Sequence, residues 1–222
     1  MTSKDGRSFK DALFEQFARI PKALAAPKRL ELIDLLAQGE RTVEELANET
    51  AMSVANTSQH LQKLRAAHLV DVRREGLYAY YRLASPEVFA LWQNVRGVGE
   101  TQLSEVGRVV ETYHNDRGAL EAISVAELQA RLAQGSVLLL DVRPEVEYRA
   151  GHIPGALSMP MDELAERLDG LPKGEGVVAY CRGPYCVFAD EAVALLKARG
   201  YAAQRLAQGF PDWQAAGLPV SY

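Results

Sequence analysis

Apolar residues in the first 67 positions recur every three or four residues, which predicts a series of short amphipathic helices. Ser8 is expected to begin the first helix, and a break bracketed by Pro21 and Pro27 is expected to end it. A second helix then runs to Gly39. The apolar positions of these two helices are Phe9, Leu13, Phe17 and Ile20, followed by Leu30, Ile33, Leu35 and Leu36.

Two polar residues predict the starts of the next two helices. Thr42, with Glu45 three residues later, has the spacing of a capping box and predicts a short helix through Val43, Leu46 and Ala47. Ser53 predicts the cap of a further helix that ends at about Ala67.

The helix after Ser53 has two distinct faces. Its inward side is expected to carry Val54, Leu61, Leu64 and His68. The spacing i, i+3, i+4, i+7 places Asn56, Gln59, His60 and Lys63 together on the opposite side, here called the reading face. Amide and imidazole groups pair with base edges, and a helix of this width suits a major groove. The alternative is a face that is only solvated.

Residues 69–83 alternate apolar and polar positions around a turn at Glu75-Gly76, which predicts a hairpin. The side expected to pack inward carries Val70, Val72, Leu77, Ala79, Tyr81 and Leu83. The other side, suited to lying along phosphates, carries Asp71, Arg73, Tyr78, Tyr80 and Arg82. Helices followed by such a hairpin predict a mainly α winged helix-turn-helix domain.

From Pro86 to about Arg117, apolar residues recur at helical spacing and predict one long helix, bent near Gly97–Gly99. Its apolar face is expected to meet a second subunit, so that a homodimer places two recognition helices about 34 Å apart. Residues 115–118 have the composition of a linker. We therefore predict one domain at 1–117 and another at 118–222.

The second half alternates strand and helix patterns, which predicts an α/β domain with a parallel sheet. Ser124 begins a helix that ends at Gly135, and Val137–Val142 is a continuous apolar strand of the kind buried on both faces. The further predicted strands are 157–159, 177–180 and 203–206, and the further predicted helices are 162–168, 187–199 and 211–216.

Both cysteines of the chain lie in the segment Cys181–Cys186, here called the cysteine loop, between a strand and a helix. A loop that enters a helix directs backbone N–H groups towards one point, where they stabilise an anion such as a thiolate. A cysteine at such a helix terminus, next to Arg182, is expected to have a lowered pKa and so more thiolate near neutral pH. Cys186 is either a second reacting thiol or a small buried residue at the start of the helix.

Charge and composition limit the classes of function. The net charge of −4 argues against indiscriminate binding to nucleic acid, although residues 52–82 carry a local net charge of +3 that suits a specific DNA site. Without a long apolar run, no membrane association is expected, and we predict a cytoplasmic protein with reduced thiols.

Residues 42–83 resemble the ArsR-type winged-helix repressors, most specifically in Ser-Gln-His-Leu at 58–61 and in the hairpin sequence. The resemblance implies a homodimer that binds double-stranded operator DNA and releases it when an inducer acts. It implies that the recognition helix uses Ser53, Asn56, Thr57, Ser58, Gln59, His60 and Lys63, and that the wing uses Arg73, Arg74 and Tyr78. Metal-sensing members have cysteines in the helix corresponding to 42–47, which this chain lacks, so we predict no metal site.

The second half resembles the rhodanese domain in several separated motifs, including Asp-Val-Arg-Pro at 141–144, Gly-His-Ile-Pro at 151–154 and Gly-Phe-Pro-Asp-Trp at 209–213. The resemblance implies that Cys181 takes sulfane sulfur from thiosulfate or a polysulfide and carries it as a persulfide cradled by loop N–H groups. We expect Asp141, Arg143, Glu147 and His152 to form a structural network. Position 187 is valine where phosphatases of this fold have arginine, so phosphatase activity is not expected.

Together these features predict a transcriptional regulator, expected to be a repressor, whose Cys181/Cys186 pair senses or transfers reactive sulfur without a cofactor. One alternative is a thiosulfate or polysulfide sulfurtransferase whose winged helix only regulates its own operon. Another is an inert rhodanese module that docks a partner.

Overall fold

The computed structural model describes residues 3–115, 121–172, 174 and 176–222. The described chain divides into two compact units, Met1–Gln93 and Asn94–Tyr222. This division falls inside a helix, whereas the predicted boundary between residues 117 and 118 and most of the predicted linker lie outside the described residues. The domain limits of 1–117 and 118–222 therefore stay a prediction.

The first unit is mainly helical, with a small antiparallel sheet in the order β1-β3-β2. Leu32, Ile33, Leu46, Leu61 and Leu64 form the fully buried centre of its core. Its elements are α1 (Ser3–Phe17), α2 (Arg19–Leu24), α3 (Pro27–Leu36), β1 (Arg41–Thr42), α4 (Val43–Glu49), α5 (Val54–Ala66), β2 (Val70–Glu75), β3 (Tyr78–Leu83) and the start of α6 (Pro86–Gln102).

The N-terminal helices differ from the prediction in two respects. Helix α1 begins at Ser3 rather than at Ser8, and Pro21 lies inside a separate helix, α2. Pro21 is tolerated there because it falls in the first turn, where a helical N–H has no partner to lose. The chain turns instead at Ala26, which is extended, and Pro27 opens α3.

Both predicted helix caps are confirmed. The Glu45 backbone N–H donates to Thr42 Oγ1 at 3.2 Å, and the Thr42 N–H donates to the Glu45 carboxylate at 2.7 Å. The Asn56 N–H donates to Ser53 Oγ at 3.3 Å. These bonds satisfy N–H groups that the first turn leaves without helical partners, so each polar residue sets where its helix begins.

The turn of the hairpin lies one residue later than predicted. Glu75 pairs with Tyr78, so the two connecting residues are Gly76 and Leu77. Gly76 has φ of +58°, a conformation that glycine adopts without strain, and this decides the position of the turn. Leu77 is consequently fully exposed instead of packing inward.

The predicted long helix is two helices, α6 and α7 (Ser104–Asn115). They are separated at Leu103, beyond Gly97 and Gly99, which both lie within α6, so the bend near these glycines stays a prediction. Thr101 Oγ1 donates to the carbonyl oxygens of Gly97 and Val98, a side-chain bond that bends helices. The Val106 N–H then bonds to Leu103 O, which starts the new helix.

The second unit contains the predicted α/β fold, a parallel five-stranded sheet in the order β4-β8-β7-β5-β6 with helices on both faces. Strands β5 and β7 bury side chains alternately on the two sides, which makes three layers. Its elements beyond α7 are β4 (Ala122–Ile123), α8 (Val125–Ala133), β5 (Val137–Asp141), α9 (Glu145–Ala150), β6 (Leu157–Ser158), α10 (Met161–Arg167), β7 (Gly176–Tyr180), α11 (Val187–Ala198), β8 (Ala203–Leu206) and α12 (Phe210–Ala215).

Sequence patterns missed β4 and α9, which are too short to show a period. The predicted helix start at Ser124 is confirmed, because the Glu127 N–H donates to the Ser124 hydroxyl at 3.2 Å. Within the part of the chain that the structure describes, no helix is long and apolar enough to cross a membrane.

Candidate functional site

Helix α5 presents most of the reading face to solvent. Asn56, Gln59 and Lys63 are exposed, and His60 is half-buried. Thr57, predicted to contact DNA, is fully buried, and its hydroxyl donates to Ser53 O at 3.1 Å, so it cannot reach a base. Ser53 and Ser58 lie on the accessible side of the helix; Ser53 is exposed and Ser58 is half-buried.

Two residues assigned to the inward side of α5 are exposed instead. Val54 is in the first turn, at the edge of the core, and almost half of its surface is accessible. His68 lies beyond the end of the helix with φ of +57°, and this left-handed conformation directs it away from the helical face. Leu61 and Leu64 alone of the predicted set are buried.

The imidazole of His60 is held in its neutral form. Burial lowers its pKa below the usual 6.5, and the positive charges of Arg29 and Lys63 lower it further. Its Nδ1 atom is buried with no hydrogen-bond partner among the described residues. A neutral ring at neutral pH can donate or accept at Nε2, which suits contact with a base edge more than attraction to phosphate.

The wing carries Arg73, Arg74 and Tyr78 on an exposed surface, as the sequence predicts. The guanidinium of Arg73, however, bonds to Glu40 at 2.7 Å and also to Glu75. These hydrogen bonds raise the pKa of Arg73 further above its usual range. The positive charge of Arg73 is therefore largely compensated in the absence of DNA.

The cysteine loop connects β7 to α11. Cys181 follows the last strand residue and is buried, whereas Cys186 is the N-cap residue of α11 and is half-buried. The two sulfur atoms are joined in a disulfide, with the Cα atoms 6.2 Å apart. The expectation that Cys181 itself lies at the helix terminus is thus wrong. Cys186 lies at that terminus, and the disulfide places the Cys181 sulfur directly beside it.

Arg182 is paired with a carboxylate in the folded chain. Its guanidinium forms an ion pair with the buried carboxylate of Glu147, with the closest N–O distance 2.6 Å, and lies 5.6 Å from the centre of the Phe188 ring. A compensated cation stabilises a nearby thiolate less than the sequence predicts. The N-terminus of α11 contributes positive potential beside Cys186, its N-cap residue.

A buried ion pair supports the strand ends below the loop. Arg143 bonds to both carboxylate oxygens of Asp141, and neither side chain has accessible surface. The Tyr180 hydroxyl donates to Asp141 Oδ2 at 2.6 Å. Burial, followed by the negative charge of Asp141, raises the pKa of Tyr180 above its ordinary value. Because Tyr180 immediately precedes Cys181, this cluster holds the start of the loop.

The negative charge of Glu147 also acts on Arg143, whereas His152 is held by contacts outside the Asp141–Arg143 pair. His152 Nδ1 bonds to Tyr148 O at 3.0 Å, its ring stacks on Tyr148, and its backbone pairs with Ser221. These contacts hold His152 in a turn, and none of the described contacts joins it to the cysteines. Glu147 forms its ion pair with Arg182.

The segment before α12 lies against the loop. The Phe210 N–H donates to Cys181 O at 3.0 Å. A Cβ atom on Gly209 would lie 2.3 Å from the carbonyl carbon and oxygen of Arg182 and from the nitrogen of Gly183. Only glycine fits so close to the backbone of the cysteine loop. The position of Gly209 in the motif at 209–213 could have indicated this requirement from the sequence.

Sequence patterns missed two residues of α6 that contact this region of the second unit. Arg96 Nη2 pairs with Asp212 Oδ1 at 2.6 Å, and Glu100 Oε1 accepts a hydrogen bond from the Tyr185 hydroxyl at 2.6 Å. Nothing local marks them, since an Arg and a Glu four residues apart form an ordinary pair on a helix surface. Among the described residues, no cluster of three or more His, Cys, Asp or Glu side chains could hold a metal ion.

Family models match both units. The model for bacterial regulatory proteins of the arsR family matches residues 26–72, and the model for the rhodanese-like domain matches residues 124–216. These matches extend from α3 to the first half of β2 in the first unit and from α8 to α12 in the second.

Individual relatives resemble either the whole chain or one half. The HTH-type transcriptional regulator Rv0324 of Mycobacterium tuberculosis is 46% identical over 95% of this chain and 92% of its own length. A sulfurtransferase of Allochromatium vinosum is 37% identical over 44% of this chain and 92% of its own length. The solved homodimeric winged helix-turn-helix domain of Mb0332 from Mycobacterium bovis is 45% identical, covers 46% of this chain and 94% of its own, and has a TM-score of 0.42.

Proposed function

Because this chain belongs to the ArsR family of bacterial regulatory proteins and carries a rhodanese-like domain, we propose that its affinity for DNA responds to reactive sulfur at Cys181 and Cys186. The observation that carries the proposal is the disulfide within the cysteine loop. Two thiols that can approach within bonding distance, at the N-terminus of α11, form a pair that an oxidising sulfur compound can convert between two covalent states.

The proposed reaction has two steps and uses polysulfide as the oxidant. The Cys181 thiolate attacks a terminal sulfur of the polysulfide chain, which forms a Cys181 persulfide and leaves a polysulfide one sulfur shorter. The Cys186 thiolate then attacks the sulfur attached to the Cys181 side chain, which forms the disulfide and expels hydrogen sulfide once the leaving group has taken up a proton. The two thiols lose two electrons, and the transferred sulfur atom gains them.

We propose that the first unit binds operator DNA as a homodimer. The reading face would contact bases through Asn56, Gln59, His60 and Lys63. The wing would contact the DNA backbone through Arg74 and Tyr78. The Mycobacterium bovis domain is described as a homodimer, which supports the same assembly here. Two-fold symmetry would require an operator with two similar half-sites.

A second candidate function is sulfur transfer, with Cys181 as the nucleophile. The sulfurtransferase of Allochromatium vinosum supports this alternative because it aligns with the second half of the chain. Against thiosulfate as the donor, the cation within the loop, Arg182, is already paired with Glu147 and is less able to attract a dianion. A persulfide that passes to external thiols, with DNA affinity unchanged, would favour this function.

The decisive experiment measures operator affinity of the full chain before and after polysulfide treatment, for the wild type, Cys181→Ser and Cys186→Ser. Intact mass identifies the persulfide and the disulfide in each sample. We expect the wild type to change its affinity and Cys181→Ser to be unresponsive. In Cys186→Ser the persulfide should accumulate without a full response, because the disulfide cannot form. Equal affinities in all samples, despite modification of the wild type, would refute the proposal and favour an enzyme or a docking module.

A further inference from the structure

We infer that Arg96 and Glu100, near the end of α6, are the positioning residues through which the state of the cysteine loop affects DNA binding. The inference rests on the function proposed above and adds a route for the response. Both residues belong to the second unit, and both contact groups that border the loop.

Glu100 contacts the loop itself. Its Oε1 atom accepts the hydrogen bond from Tyr185, the residue immediately before Cys186, at 2.6 Å. Burial and this hydrogen bond raise the pKa of Tyr185 to about 12, so the phenol is a donor at neutral pH. The cysteine loop and α6 are therefore joined by the hydrogen bond between Tyr185 and Glu100, and a displacement of Tyr185 changes the geometry of that bond.

Arg96 contacts the segment that supports the other end of the loop. Its guanidinium is 2.6 Å from Asp212 Oδ1, and the two side chains are only 13% and 6% exposed. Asp212 also accepts the Gly209 N–H, and Gly209 packs directly on the backbone of Arg182 and Gly183. The distance of 3.8 Å between Arg96 and Glu100 joins both contacts into one network.

The covalent state of the cysteines controls the space available to this network. A disulfide ties Cys181 to Cys186 and closes the loop that contains Tyr185. Reduction removes that tie, and a persulfide adds a sulfur atom beside the α11 terminus. Either change requires the tightly packed loop to rearrange, because Gly209 leaves it no room on one side.

Helix α6 continues without interruption from Pro86 to Gln102, and its first turns belong to the core of the first unit. Val88 is buried there with Leu91 and Trp92 packed against the same core, and Trp92 Nε1 donates to Asp34 Oδ1 of α3 at 2.8 Å. Helix α3 shares its core with Leu61 and Leu64, the buried side of the recognition helix α5. A rotation or tilt of α6 would thus act on elements that orient the reading face, which is a contiguous network of the kind that carries coupling.

The test compares Glu100→Gln and Tyr185→Phe with the wild type in the full-length protein. Operator affinity is measured with dithiothreitol and after polysulfide, and mass spectrometry confirms that each sample forms the disulfide. Coupling between sites usually changes affinity by about 5- to 150-fold, so we expect at least a fivefold ratio for the wild type. The ratio should fall to less than about twofold in both variants. Glu105→Gln, the same change at an exposed pair with Arg108 on α7, is the matched control and should keep the wild-type ratio.

The outcomes separate this inference from the proposed function. A wild type that forms the disulfide without any change in affinity overturns both. A responsive wild type whose response is retained in Glu100→Gln and Tyr185→Phe overturns only the route through α6. Tyr185→Phe removes a single hydroxyl group, so an unchanged affinity of its reduced form would show that a lost response is not a loss of folding.

Discussion

The reading face and the cysteine loop place their polar groups in opposite surroundings. On α5 and the wing, amides, a lysine and arginines face solvent, and their ion pairs are accessible. Beneath the loop, Asp141, Arg143 and Glu147 are almost completely buried and are bonded to one another or to Arg182. The first arrangement leaves groups ready for a partner, whereas the second uses its groups to hold a loop in place.

This contrast teaches that charge alone does not identify a functional residue. Arg73 and Arg182 both resemble functional cations in the sequence, yet each is neutralised by carboxylates in the folded chain. The groups at the proposed functional positions are less conspicuous: a neutral histidine and amides on one side, and a disulfide beside a helix terminus on the other.

The largest effect should follow from Asp141→Asn, because the substitution leaves Arg143 charged and buried without its carboxylate. Breaking a buried ion pair in this way costs about 3–5 kcal/mol of unfolding free energy. Denaturant unfolding of the second unit, followed by Trp213 fluorescence in a Trp92→Phe background, measures it. Glu163→Gln breaks the exposed pair with Arg167 in the same unit and should cost less than about 1 kcal/mol. Similar costs for the two variants would remove the contrast between buried and exposed pairs.

Gly209→Ala should have the next largest effect. A Cβ atom 2.3 Å from the Arg182 carbonyl must displace the backbone of the cysteine loop, at a cost of about 3 kcal/mol. The same unfolding measurement applies, together with the yield of disulfide after polysulfide treatment, which should fall. Gly176→Ala is the control, since its new Cβ would meet only Ser136 O at 4.0 Å. Normal stability and disulfide yield in Gly209→Ala would contradict the tight approach of this segment.

A smaller effect is expected on the first unit when one of the carboxylates on Arg73 is removed. Glu40→Gln should free part of the Arg73 charge for phosphate, tighten operator binding by about threefold and steepen its salt dependence. Fluorescence anisotropy over a range of salt concentrations measures both quantities. Glu31→Gln makes the same change in net charge beside Lys28 and serves as the control. If both variants bind alike, Arg73 lies outside the DNA contact.

The smallest effect concerns His60 and pH. Its pKa is lowered in the folded chain, so the unfolded chain takes up a proton first as the pH falls. The contribution of His60 to stability is therefore complete above about pH 6.5 and is lost as the pH falls through the lower folded pKa. Urea unfolding between pH 5 and 8 should show this loss in the wild type and not in His60→Gln. The same pH dependence in His60→Gln as in the wild type would contradict this assignment.

Local sequence patterns predicted elements well where a short-range bond or a long period determines them. The capping residues Thr42, Ser53 and Ser124 marked the starts of their helices, because a side chain three residues away supplies or accepts the first missing bond. Continuous apolar runs likewise marked β5 and β7, since strands covered on both faces have no polar side.

Patterns failed where several orientations were equally allowed locally. The exposed Val54, the buried Thr57 and the turn at Gly76-Leu77 all depend on a shift of one position along the chain or around a helix. Such a shift changes which side chains are buried, and only packing against the rest of the unit selects between the choices.

The amino-acid sequence by itself determined the two halves of the chain, their fold classes and the location of both thiols between a strand and a helix, because periodicity and loop position are properties of neighbouring residues. Only the tertiary structure decided that Glu147 pairs with Arg182, that Cys186 is the N-cap residue of α11, and that Arg96 and Glu100 contact Asp212 and Tyr185. These contacts join residues 35 to 116 positions apart or depend on where a helix begins in space, so no local pattern could encode them.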